Sequence, residues 1–201
     1  MPITIAALRE TADAERRVAI TPETAKKYIA RGLRVLLERE AGKCAGFPDD
    51  AYAGAELADA DAVVAQVDIL LCVQSLQAAR IASMKEGAVL VGQLRPHGAA
   101  ERLAQYARQK LTAFSLELLP RTTRAQAMDV LSSQAAVAGY RAMLIAAVAA
   151  PKFFPMLTTA AGTLRPSKVL VIGAGVAGLQ AVATARRLGA MVEGFDVRPE
   201  T

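Results

Sequence analysis

The chain has 201 residues, 53% of them hydrophobic, and a mean hydropathy of +0.28, enough for one large or two small domains with well-buried cores and incompatible with a disordered chain. Trp is absent and aromatic residues make up 4%, so the core must be built from Ala, Val, Leu and Ile, a composition that suits parallel α/β packing. The net charge of +5 comes from scattered basic residues without an aromatic-interleaved stripe, which argues against nucleic acid and for a solvated basic surface, leaving an acidic partner or an anionic membrane face open.

Ile3 to Leu8 reads as a short strand, followed by a polar loop through Arg16 and Arg17. Thr21-Pro22-Glu23 has the form of a helix start, with Thr21 as N-cap, Pro22 at the first helical position and Glu23 near the positive end of the dipole. That helix is expected to stop at Gly32, with the next strand over Arg34 to Leu37. Gly42 to Gly54 is a connection rich in Gly, Pro and Asp. Asp59 to Val67 reads as a helix, Asp68 to Val73 as a buried strand, Ala78 to Met84 as a helix, Ala88 to Val91 as a strand, Ala99 to Lys110 as an amphipathic helix, and Leu111 to Leu116 as a fifth strand. Strands alternating with helices predict a parallel sheet covered on both faces.

From Arg121 to Asp129 the chain becomes a polar loop, and Ser133 to Ala150 then reads as a long helix of small residues. The apolar stretch from Ala135, interrupted by Tyr140 and Arg141, is expected to be too short to span a bilayer. The domain boundary is expected near residue 130, giving an N-terminal domain over 1–130 and, over 131–201, a linking helix with the first half of a second domain.

The most informative stretch is Lys168 to Asp196. An apolar run, Val169 to Ile172, meets Gly173-Ala174-Gly175-Val176-Ala177-Gly178 and then a helical pattern from Leu179 to Leu188. In this strand, turn and helix, Gly173 permits the turn, Gly175 lets backbone N–H groups approach a pyrophosphate, and Gly178 lets helix and strand close up, with the phosphate on the helix N-terminus. A second strand, Met191 to Phe195, ends in Asp196, 18 residues beyond Gly178, which suits a carboxylate facing an adenosine ribose. Asp196 should repel a 2′-phosphate and so favours NAD. Arg198 leaves two readings open, an acceptor for such a phosphate or a solvated surface residue. Only strand, helix and second strand fit before Thr201, whereas a dinucleotide site draws on two βαβαβ halves, so further sequence is expected beyond Thr201.

Cys44 and Cys72 have no paired spacing and His97 is the single His, so the usual Cys/His metal sets cannot be assembled and a reducing compartment is expected. The N-terminus Met1-Pro2-Ile3-Thr4 lacks a secretory pattern.

Arg17-Val18-Ala19-Ile20-Thr21-Pro22, the Arg121 to Asp129 loop, Leu131-Ser132-Ser133-Gln134, Ala138-Gly139-Tyr140-Arg141, and the glycine turn with Asp196-Val197-Arg198-Pro199 together resemble one family, that of alanine dehydrogenase and proton-translocating NAD(P) transhydrogenase. The match covers essentially the whole chain, and the loop with its following helix resembles the NAD(H)-binding component of the transhydrogenase α subunit. The resemblance implies two Rossmann-like domains with parallel sheets flanked by helices, the second only partly present here. It further implies NAD(H) as cofactor, NADP(H) on a partner component, a membrane-embedded proton channel on other subunits, and a homodimer, cytoplasmic and peripheral to the inner membrane through those subunits. Hydride would pass directly between the two nicotinamides, coupled to proton movement.

By the same resemblance, Arg121, Gln126 and Asp129 line the nicotinamide end. Arg121, Thr122, Thr123 and Arg124 would hold the cofactor, Gln126 would help bring the rings together, and Asp129 would orient Arg121 or Gln126. Gly173, Gly175, Val176, Gly178, Asp196, Val197 and Arg198 would complete the cofactor site. Read from the residues alone, Arg121 and Arg124 fit a solvated loop equally well, and Asp129 fits an N-cap. Alanine dehydrogenase is the main alternative, and it needs a substrate-binding Lys and a catalytic His, where this chain aligns Gln74 and Arg95. His97 lies two places away after Pro96, where a surface loop is the plainer reading. Hydride transfer between nicotinamides leaves no substrate proton to shuttle, so positioning and water exclusion can carry it, and the missing acid-base pair favours transhydrogenase. Arg17 matches the Arg that binds substrate carboxylate in the dehydrogenase, with a structural role as the other reading. A non-catalytic NAD-binding module is the third hypothesis.

Overall fold

The computed structural model describes residues 2–120 and 122–199. They pack as two compact units, Met1–Ala125 and Gln126–Thr201.

The first unit carries six parallel strands, β1 (Thr4–Ala7), β2 (Arg34–Glu38), β3 (Glu56–Ala58), β4 (Ile69–Leu71), β5 (Val89–Gly92) and β6 (Thr112–Ser115), in the order β3-β2-β1-β4-β5-β6. This is the doubly wound order, with its switch point between β1 and β4. The helices α1 (Pro22–Ala30), α2 (Ala60–Gln66), α3 (Ala78–Ala82) and α4 (Ala100–Arg108) occupy the crossovers. Alternation along the strands makes two aliphatic cores. Ala6, Leu36, Leu70 and Leu90 pack with Val63, Val64, Ile81, Met84 and Tyr106 on one face, while Ile5, Ala7, Val35 and Leu37 pack with Ile20, Ala25 and Tyr52 on the other. The α1 start follows its sequence signals, since Thr21 Oγ1 accepts the Thr24 N–H at 3.2 Å and Gly32 takes φ +81° beyond the helix end.

The sheet has six strands where the sequence pattern predicts five. The extra strand, β3, contributes a single large apolar residue, Leu57, so it carries no periodic signal of its own. Pairing with β2 (Leu36 with Glu56, Leu37 with Leu57) and the Arg34–Glu56 ion pair at 2.6 Å recruit it.

The second unit begins with α5 (Val130–Ala149), followed by an antiparallel hairpin of β7 (Leu157–Thr159) and β8 (Gly162–Leu164), then β9 (Lys168–Ile172), α6 (Val176–Arg187) and β10 (Met191–Phe195), with β9 and β10 parallel. The hairpin falls where only a connection is expected from sequence. At 20 residues, α5 is longer than predicted because Asp129 caps it three residues earlier. The whole 20-residue helix is long and apolar enough to cross a bilayer by length and composition alone, a test that core helices of other proteins also pass. On its inner side Gly139 meets the Ala177 backbone of α6. The start of α6 also precedes its predicted position by three residues, because Gly175 takes the N-cap and the helix tolerates Gly178 in its first turn.

Candidate functional site

In the first unit the two loops at the switch point are joined by a side chain of the protein itself. The β1–α1 loop has no glycine turn there; Glu10 accepts the backbone N–H groups of Val73 (2.5 Å) and Gln74 (3.1 Å) from the loop after β4. Burial pushes the Glu10 carboxyl above its ordinary range, against those two hydrogen bonds, with the Glu15 charge adding to the rise. Gln74 in turn donates to Glu15 at 2.7 Å, and Glu15, with a side chain only 8% exposed, pairs with Arg17 at 2.6 Å. The Arg17 guanidinium, then the Gln74 hydrogen bond against the opposing effect of burial, bring Glu15 down to about 2. An acidic lip occupies the position where a doubly wound unit elsewhere receives a phosphate. Beside it lies a cavity of about 250 Å³ lined in part by Arg9, Glu10, Glu38, Cys72 and Gln77.

The second unit has the opposite arrangement. Phe195 pairs with Ile172, so the two strands end level and Asp196 arrives beside Gly173. The Gly173 N–H continues the ladder to the Phe195 carbonyl at 2.7 Å, and Gly173 then turns with φ +97°, a conformation that only glycine adopts without strain. A Cβ on Gly178 would overlap the Gly173 carbonyl oxygen and lie 2.7 Å from its carbon, so helix and turn touch backbone to backbone. A Cβ on Gly175 would meet nothing closer than Arg198 Nη2 at 3.9 Å, so the turn is open on that side, where the N-terminus of α6 begins.

Asp196 is tied into the turn. Its Oδ2 accepts the Ala174 N–H at 2.7 Å and Arg198 Nη2 at 3.1 Å, and its Oδ1 accepts the Arg198 N–H at 2.9 Å and Nε at 3.0 Å. The Arg198 side chain, the Arg198 N–H and the Ala174 N–H hold the carboxyl well below the usual carboxylate range. Val176 opens α6 and Val197 projects from the surface. Apart from the solvent-facing Val197, these positions lie together where β9 and β10 end. The Ala174 N–H, which fastens the acid to the turn, escapes sequence reading because any residue supplies it.

The geometry fits a dinucleotide, with an uncovered glycine, a helix N-terminus for a pyrophosphate and a carboxylate level with the turn.

The polar loop is a 3-10 turn over Thr123–Met128. Thr122, Thr123 and Arg124 are exposed in the first unit, and Gln126 is exposed in the second. Asp129 accepts the Ser132 N–H at 2.9 Å and the Ser132 hydroxyl at 2.6 Å, so it caps α5. Arg121 lies outside the described residues.

Two family models match, the alanine dehydrogenase/PNT N-terminal domain over residues 6–138 and the C-terminal domain over 142–201. A polypeptide of NAD(P) transhydrogenase subunit alpha from Rhodospirillum rubrum is 46% identical over 98% of this chain and 53% of that protein. A solved structure of transhydrogenase from Sinorhizobium meliloti superposes with a TM-score of 0.93 at 44% identity, covering 97% of this chain and 60% of the other. Alanine dehydrogenase of Mycobacterium tuberculosis is 32% identical over 94% of this chain and 52% of that protein. The chain thus spans about half the length of the curated relatives it matches. With both models aligned along nearly its whole length, the chain belongs to the alanine dehydrogenase/PNT family.

Proposed function

We propose that this chain belongs to the NAD(H)-binding component of a proton-translocating NAD(P) transhydrogenase, passing hydride to or from NADP(H) held on a partner component. The observation that carries this reading is the joined turn and acid of the second unit, Gly173 to Gly178 fastened to Asp196. Asp196 serves the adenosine ribose, the N-terminus of α6 serves the pyrophosphate, and Arg121, Thr122, Thr123, Arg124, Gln126 and Asp129 serve the nicotinamide end. A bound nicotinamide supplies hydride donation and acceptance; the side chains position it and exclude water. With Ser132 held by Asp129, the capping contact also fixes where α5 begins, and so the backbone that follows Gln126. Assembly as a homodimer on membrane-embedded partner subunits, at the cytoplasmic side of the inner membrane, belongs to the same proposal.

The dehydrogenase alternative asks for a Lys and a His in the first unit. At the matching places Gln74 is a neutral amide bound to Glu15, and Arg95 is an exposed cation on a left-handed backbone of φ +45°. Neither is the lysine or the histidine that the imine chemistry asks for, which favours the transhydrogenase reading.

The test mixes the full-length protein with a purified NADP(H)-binding component and follows reduction of an NAD analogue by NADPH, with pyruvate and ammonia assayed in parallel. Transfer that depends on the partner is the expected result, and Gln126→Ala should slow it with little change in NAD affinity. NADH oxidation by pyruvate and ammonia alone would establish an amino-acid dehydrogenase instead.

A further inference from the structure

Asp196 has no accepting capacity left. A carboxylate offers about four lone-pair sites, and the Ala174 N–H, the Arg198 N–H, Arg198 Nε and Arg198 Nη2 supply four donors between 2.7 and 3.1 Å. A ribose diol brings two further O–H donors, so it can bind only where donors already present leave. The Ala174 N–H is fixed by the turn. The Arg198 side chain is free to move, being 56% exposed and tethered to the protein chiefly by this carboxylate, whose own side chain is 9% exposed. The same guanidinium reaches over the open side of the turn, 3.9 Å from the place of a Gly175 Cβ.

We propose that Arg198 is a displaceable internal ligand of Asp196, a specificity and exchange residue that competes with the adenosine ribose and must swing away for nucleotide to bind. The inference rests on Asp196 being the ribose acceptor of the proposed function. It assigns Arg198 a role distinct from a direct cofactor contact. The guanidinium holds the acid in place and satisfied; when nucleotide arrives, the two guanidinium donors are exchanged for the two ribose hydroxyls, while the Ala174 and Arg198 backbone N–H groups stay. The competition weakens binding and hastens release, which suits a site that must turn nucleotide over.

The experiment compares wild type, Arg198→Met and Asp196→Asn in the full-length protein, with adenosine and NADH as probes and NMR or calorimetric titration as readout. Adenosine carries the ribose without phosphate and so isolates Asp196. Arg198→Met should bind adenosine about two- to five-fold more tightly at low ionic strength, the size expected of an exposed ion pair, with the gain shrinking as salt screens that pair in wild type. Without nucleotide, the Asp196 carboxyl of Arg198→Met should titrate closer to the ordinary carboxylate range than in wild type. Unchanged adenosine binding in Arg198→Met, with weakened binding in Asp196→Asn, overturns the competition while leaving the ribose site intact. Weaker NADH binding with unchanged adenosine binding in Arg198→Met also overturns it and makes Arg198 a phosphate contact. If Asp196→Asn and Arg198→Met both bind adenosine and NADH as wild type does, the ribose site itself is refuted and the competition with it.

Discussion

Gly139 of α5 lies directly against the backbone of Ala177 in α6: a Cβ built on Gly139 would overlap the Ala177 carbonyl oxygen and come 2.9 Å from its carbon. Since α6 leads out of the glycine turn, the position of the turn depends on how closely the helices approach. Gly139→Ala should force them apart at a cost of about 1–3 kcal/mol, the usual penalty for overpacking a close contact. Urea unfolding should show a lower midpoint, and NADH titration should show weaker binding, although Gly139 belongs to no cofactor motif.

Gly175 and Gly178 look alike in the sequence and are expected to behave differently. Gly178→Ala drives a methyl into the Gly173 carbonyl, so the variant should lose both stability and nucleotide binding. Gly175→Ala meets only Arg198 at 3.9 Å, so the nucleotide-free protein should unfold like wild type while the pyrophosphate loses its close approach. Paired thermal melts and NADH titrations separate the cases. Equal destabilisation by the two alanines would contradict the geometry.

The contrast also shows how far the chain could be read from its residues. Long-period apolar runs and strong punctuation made α1, β4, β9 and β10 legible, because Thr21-Pro22, Gly32 and Gly173 act locally. β3 and the β7–β8 hairpin were not, since partner strands impose three-residue segments that carry little pattern of their own. At the site, the glycines and Asp196 were visible as types at a spacing, and the strand register brings Asp196 level with Gly173. The saturation of Asp196 was not visible, because it depends on backbone N–H groups and on where one Arg side chain folds back.

Glu15 and Glu10 should pull the acid stability of the protein in opposite directions. The folded Glu15 carboxyl sits at about 2 against an ordinary 4.5, so the folded state binds its proton less readily than the unfolded chain. Its contribution is present above pH 4.5 and lost as pH falls toward 2. Glu10 is raised by burial, so its charged form burdens the folded state once pH rises through its folded pKa, and that burden is relieved in acid. Urea midpoints measured from pH 7 to pH 2 should therefore fall less steeply for Glu15→Gln than for wild type. For Glu10→Gln they should fall more steeply on acidification, because the group whose protonation favours folding is gone.

The loop that carries Arg95 is held from both sides. Glu117 accepts the N–H groups of Leu94 (3.2 Å) and Arg95 (2.5 Å), while Arg102 Nη2 donates to the carbonyls of the same two residues at 2.8 Å each. This grip keeps Arg95 at φ +45°, immediately before Pro96, where a side chain is strained and the residue before a proline prefers an extended backbone. Glu117→Ala should cost about 1.5–3 kcal/mol, as expected for losing hydrogen bonds to a charged group. Arg95→Gly should cost far less than a usual glycine substitution, because glycine takes positive φ freely. In the Glu117→Ala background it should cost as much as an ordinary glycine substitution, since the released loop lets Arg95 leave the left-handed region and no strain is left to relieve. A double-mutant cycle on unfolding midpoints reads the coupling directly. Simple additivity would mean that Glu117 supports the loop without holding Arg95 in its left-handed conformation.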